Sequence, residues 1–73
     1  MIPGKPITTR DRIAILVEAA CMARENAKVC RQMARAWPDD RREWIAADMT
    51  KAHQAFIRAY GYLRQARQLR ADQ

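Results

Sequence analysis

The sequence has few of the residues from which reactive sites are built. Its 73 residues include one histidine, two cysteines and two glycines, and no catalytic, metal-binding or nucleotide-binding motif stands out. The two cysteines cannot form a disulfide scaffold. Cys21 and Cys30 fall in one expected helix, about 13–14 Å apart along its axis, whereas bridged Cα atoms lie within about 7 Å. That leaves free thiols in a reducing cytosol or an intermolecular bridge through Cys21. Long apolar runs are also missing. The longest, Ile13 to Val17, is far below the ~20 residues of a membrane-spanning helix. Residues 1–6 lack both a continuous apolar stretch and a small-residue cleavage site, so a signal peptide is not expected. A cytoplasmic protein is the expectation.

What is present is alanine, basic charge and helical periodicity. The net charge is +6 and the pI about 10.2. Hydrophobic residues make up 49% of the chain, too many for a disordered segment. The chain is organised around Trp37-Pro38-Asp39-Asp40, the one strong interruption after Thr9. Residues 1–9, with Pro3, Gly4 and Pro6, read as an extended N-terminal segment that Ile2 and Ile7 could pin to the helices. Thr8 or Thr9 caps a first helix over 10–36, with Asp11 completing a capping box on Thr8. Ile13, Leu16, Ala20, Ala23, Ala27, Cys30, Ala34 and Trp37 recur at steps of three and four. A second stripe, Ile15, Ala19, Met22, Asn26, Val29, Met33 and Ala36, widens the apolar arc to about 160°, against about 100° for an ordinary surface helix.

Pro38 stops that helix and biases Trp37 toward extended backbone. After a hinge at 37–39, a second helix is expected over 40–70, capped at Asp39 or, more cleanly, by Asp40 with Glu43. Its seam reads Ile45, Met49, Ala52, Phe56, Ala59, Leu63 and Ala66. Gly61 weakens it by roughly 1 kcal/mol and could mark a bend or a close crossing. Folding at the hinge would set Ala27 against Met49, Ala20 against Phe56, Leu16 against Tyr60 and Ile13 against Leu63, small against large. It would also bring the basic stretch 24–35 beside the acidic stretch 39–48. The expected fold is all-α: a helical hairpin spanning 10–73. Its apolar surface exceeds what one neighbouring helix can cover. A second copy is therefore expected, giving a four-helix bundle with Ile15, Met22, Val29, Met33, Tyr62 and Leu69 at the dimer interface.

The polar residues suit binding better than catalysis. Asp11, Glu18 and Glu25 stand about 10 Å apart along the helix, as a solvated stripe does. Cys21, Cys30 and His53 match no zinc spacing, and His53 reads as a core-edge residue. No cofactor, metal or enzymatic activity is expected. Arg24, Lys28, Arg31 and Arg35 form a basic ridge, and Lys51, Arg58, Arg64, Arg67 and Arg70 add a second basic region. Trp44 and Ile57 fall on the polar side of the second helix. Trp37 and Trp44, with Arg41 and Arg42 between them, have the composition of an interface hot spot, or else plug the end of the bundle. A membrane-surface role fits poorly with alanine-rich faces that already match each other.

The layout resembles that of small plasmid RNA-binding hairpin dimers and of several small phage-encoded inhibitors of host proteins. The likeness lies in size and architecture, and it transfers no residue roles. It implies a phage or bacterial accessory protein. The expected function is a homodimeric interaction module that binds and modulates, or inhibits, a larger protein. The partner-binding residues would be Arg24, Lys28, Arg31, Arg35, Trp37, Arg41, Trp44, Ile57 and Arg58. The alternative is a regulator that binds nucleic acid through the basic ridges.

Overall fold

The computed structural model describes residues 6–72. The extended start expected at residues 1–5, including Ile2, lies outside them. Two helices pack side by side as a hairpin: α1 (Thr9–Ala36) and α2 (Arg42–Ala71). The Cα extents of 53 × 33 × 13 Å describe a single layer of helices.

The start of α1 is set locally. The Asp11 backbone N–H donates to Thr8 Oγ1 at 3.1 Å, and the Thr8 N–H donates to Asp11 Oδ2 at 3.3 Å. This is the expected capping box, and each bond satisfies a backbone donor that the helix end would otherwise leave unpaired. Ile7 is exposed rather than packed. At the other end Trp37 takes φ −70°, ψ 141°, the extended conformation that a following proline favours.

The connection is longer than the expected hinge and caps differently. The Arg41 N–H donates to the Pro38 carbonyl at 2.9 Å, closing a turn whose two central residues are Asp39 and Asp40. Asp40 is therefore consumed by the turn and cannot cap. The cap position falls to Arg41, whose side chain makes no capping bond, and α2 starts at Arg42. Glu43 still supplies an acid to the first turn, where it complements the helix dipole.

The α1 seam is the expected one. Ala20, Ala27 and Ala34 are buried, and Ile13, Leu16, Ala23, Cys30 and Trp37 are half-buried between them. The α2 seam is rotated. Its buried residues are Asp48, Ala52, Ala55, Ala59 and Ala66, with Tyr62 and Leu69 half-buried in the same heptad phase. Met49 is exposed, and Phe56 and Leu63 sit at the flank, half-buried. Both helices thus present an alanine every seventh residue, Ala20, Ala27, Ala34 against Ala52, Ala59, Ala66, and Ala27 has no exposed surface at all. Small side chains let two helix backbones come close. A seam that close has no room for Met49 or Phe56 at its centre.

The fully buried seam positions are thus small on both helices, rather than small on one and large on the other as expected. Contacts across the hairpin are also displaced. Phe56 stacks under Arg31 rather than Ala20. Leu16 lines a groove with Gln65 and Leu69, while Tyr60, its expected partner, is 69% exposed. Gly61 marks no crossing, since a Cβ added there would meet nothing within 4 Å.

Two substitutions test this packing. Gly61→Ala should raise stability by about 1 kcal/mol, because it adds helix propensity without a clash. Ala27→Leu should lower it by about 1–3 kcal/mol through overpacking. Urea titration followed by circular dichroism reads both, and a neutral Ala27→Leu would contradict a close seam at that position.

Candidate interaction surfaces

A single-layer hairpin has two broad faces, and helical phase decides what each carries. At about 100° per residue, Ile15, Met22, Val29 and Met33 fall within about 40° of one another around α1. All four are about half exposed or more, and Met22 reaches 68%. Ile15, Met22 and Val29 border grooves shared with α2 residues. Met22, Asn26 and Val29 share a depression with Arg58 and Tyr62. Ile15 and Leu16 share a second one with Gln65 and Leu69. These residues form one apolar face, running along both helices.

The hinge end closes that face with a cluster of side chains. Because Trp37 is extended, its indole leaves the path of α1 and reaches across to α2. Its Nε1–H donates to Asp48 Oδ2 at 2.7 Å. Asp48 is only 8% exposed, so this is a charge-assisted bond in a shielded site. The Trp37 and Trp44 rings meet edge to face, centroids 4.7 Å apart at 64°, a favoured arrangement of ring quadrupoles. The Arg41 guanidinium lies 4.7 Å from the Trp44 ring centre, within cation–π range. Trp44 remains 47% exposed. Trp37 is thus a structural latch, and Trp44 and Arg41 are the parts of the cluster that face outward.

The opposite face is basic. Arg24, Lys28, Arg31 and Arg35 are all exposed and line the far flank of the α1 seam. Across from them, α2 contributes Met49, Phe56 and Tyr60. The Arg31 guanidinium lies 5.0 Å from the Phe56 ring centre, which ties the two rows together. The expected pairing of this ridge with the acids of 39–48 does not form. Among the described residues the one ion pair is Lys28 with Glu25, one turn away on α1 at 3.5 Å.

The structure therefore regroups the sequence-derived candidates. Arg58 borders the apolar stripe, Trp37, Trp44 and Arg41 make up the cluster at the hinge end, and Arg24, Lys28, Arg31 and Arg35 occupy the other face. Tyr62 and Leu69, expected at a dimer interface, are half-buried in the hairpin's own seam and offer only their outer edges. Ile57 is exposed on the outer edge of α2 and belongs to neither face. Asp48, Phe56 and Tyr60 are not among the sequence-derived candidates, yet they lie against or beside them. Asp48 could have been found, since 48, 52, 55, 59, 62, 66 and 69 form a three-four repeat with alanine at most positions.

His53 and Cys21 are exposed and Cys30 is half-buried. No group of three or more His, Cys, Asp or Glu among the described residues could hold a metal ion. No described helix is long and apolar enough to cross a membrane.

The latch has a measurable weight. Asp48→Ala should cost about 1.5–3 kcal/mol, as expected for a hydrogen bond to a charged partner, and should shift tryptophan emission to longer wavelength. Asp48→Asn keeps an acceptor and should lose less. Equal losses in the two variants would mean that the carboxylate charge, rather than the bond, is what stabilises the hinge.

No family model matches this chain, and neither a curated protein nor a solved structure matches it.

Proposed function

We propose that the protein is a non-enzymatic, cytoplasmic interaction module: a hairpin that pairs with a second copy through its apolar face, forming a four-helix bundle that binds and modulates a larger protein. The observation that carries this reading is the mismatch between core and surface. Among the described residues the buried hydrophobic ones are seven alanines, which remove little apolar area from water, while Ile15, Met22, Val29 and Met33 stand exposed in one stripe. Chains of this size usually need an added source of stability, and a second copy would supply it.

The dimensions fit. An α1 of 28 residues is about 42 Å long, and two helices abreast are about 20 Å wide. The face is therefore on the order of 800 Å², comparable with what each partner contributes to a stable interface. An isologous pairing would set the same stripe against itself. Arg58 would lay its aliphatic stem on the interface and keep its guanidinium at the edge.

Such a dimer leaves the outward-facing Trp44 and Arg41 uncovered at each hinge end. This corner has the Trp and Arg chemistry of binding hot spots and is where a larger protein would dock. A second reading, nucleic-acid binding, is favoured by one separate observation: the basic face carries an exposed aromatic residue, Tyr60, and, among the described residues, a single ion pair.

Light scattering tests the dimer. The expected mass is twice that of the 8.5 kDa chain. The double variant Met22→Glu, Val29→Glu should give a monomer or an unfolded chain. A well-folded monomeric parent would overturn the reading. Trp44→Ala should retain helicity and dimerisation and weaken capture of a larger protein.

A further inference from the structure

The basic face lies on the side of the hairpin away from the apolar stripe, so pairing through that stripe leaves it open on both outer surfaces of the bundle. We infer that this face binds single-stranded nucleic acid, with Arg24, Lys28, Arg31 and Arg35 on the phosphates and Tyr60 as a stacking platform for a base. The inference uses the dimer reading only to leave the face uncovered, and it holds for a monomer as well.

Three observations carry it. First, the four cations follow one another at steps of four, three and four residues, about 4.5–6 Å of rise each. That makes a line of charge which can track a flexible phosphate backbone. Second, three of the four, Arg24, Arg31 and Arg35, make no ion pair among the described residues, and Lys28 alone meets a carboxylate. Their charge is therefore available to displace the counterions of a polyanion. Third, two aromatic residues of α2, Phe56 and Tyr60, stand on this same face. Arg31 lies over Phe56, which holds its guanidinium in a fixed orientation, and Tyr60 is the most exposed large hydrophobic residue of the chain's described part at 69%.

The combination of a basic track with an open ring is how strands are bound without strong sequence preference. An acidic protein segment would be met by the cations as well, but it would have no use for an exposed ring beside them. A duplex is the poorer fit. The face is a broad, single-layer surface, with no helix projecting from it to enter a groove.

The experiment uses the full chain and a fluorescein-labelled 20-nucleotide poly-dT, read by anisotropy across a salt series. With four phosphates engaged per face, log Kobs should fall against log salt with a slope of about −3, or about fifty-fold between about 50 and 200 mM salt. Arg31→Gln and Arg35→Gln should each make the slope shallower by about 0.7. Tyr60→Ala should weaken binding about 5- to 150-fold, the range for losing one stacked base, while leaving the slope unchanged. Lys51→Gln, a charge-matched change away from this face, should leave affinity within about two-fold, so that loss of net charge alone is accounted for.

Parent-like binding by the Arg31 and Arg35 variants would overturn the inference. So would no binding at about 50 mM salt. Poly-glutamate or duplex DNA binding as tightly as the strand, with Tyr60→Ala silent, would reassign the face to an acidic protein or to polyanions in general. The molar mass of every variant is measured alongside. A monomeric parent that still binds poly-dT in a ridge-dependent way would end the dimer reading and leave this one standing.

Discussion

The burial of alanines from both α1 and α2 along one seam is the constraint on which the rest depends. With Ala20, Ala27 and Ala34 on one helix and Ala52, Ala59 and Ala66 on the other, the backbones approach and the seam becomes narrow. Ile13, Leu16, Tyr62 and Leu69 are half-buried along the seam, while Met22 and Val29 on one flank and Tyr60 on the other stand exposed. The same smallness leaves the hairpin with little buried apolar area. A fold built this way is energetically thin, which is the ground for the proposed second layer.

The hinge works by a related economy of contacts. Pro38 sets Trp37 extended, and the extended Trp37 can reach a carboxylate on α2 that faces the seam. The Trp37–Asp48 bond fixes how α2 leaves the turn at the point where no alanine seam yet holds it. Trp44 and Arg41 then pack outside the latch. One cluster thus forms the structural end-piece of the hairpin, and its exposed outer pair, Trp44 and Arg41, is the part open to the proposed docking.

The two faces differ because the α1 sequence places its large apolar residues and its cations on opposite flanks of one alanine row. Ile15, Met22, Val29 and Met33 fall on one side, and Arg24, Lys28, Arg31 and Arg35 on the other. This is a property of helical phase. It separates self-association from anion contact in space, so the two proposed roles do not compete for the same residues.

Much of this was legible in the sequence. The capping box at Thr8 and Asp11, the stop at Pro38 and the α1 seam are local, and they follow from backbone hydrogen-bond needs and from periodicity within one helix. The exposed stripe of α1 was legible for the same reason. The α2 seam was not. Two overlapping heptads share Ala52, Ala59 and Ala66, and hydrophobicity prefers the one with Met49, Phe56 and Leu63. The structure uses the other, with Asp48, Ala55, Tyr62 and Leu69, because the separation of the helices selects by size, and that separation exists only once α1 is packed against α2. The turn spending Asp40, the latch on Asp48 and the gathering of Phe56 and Tyr60 beside the basic ridge follow from that same rotation and pairing. What one helix needs for itself was written in the chain; which neighbour each side chain meets was decided by the distance between two helices.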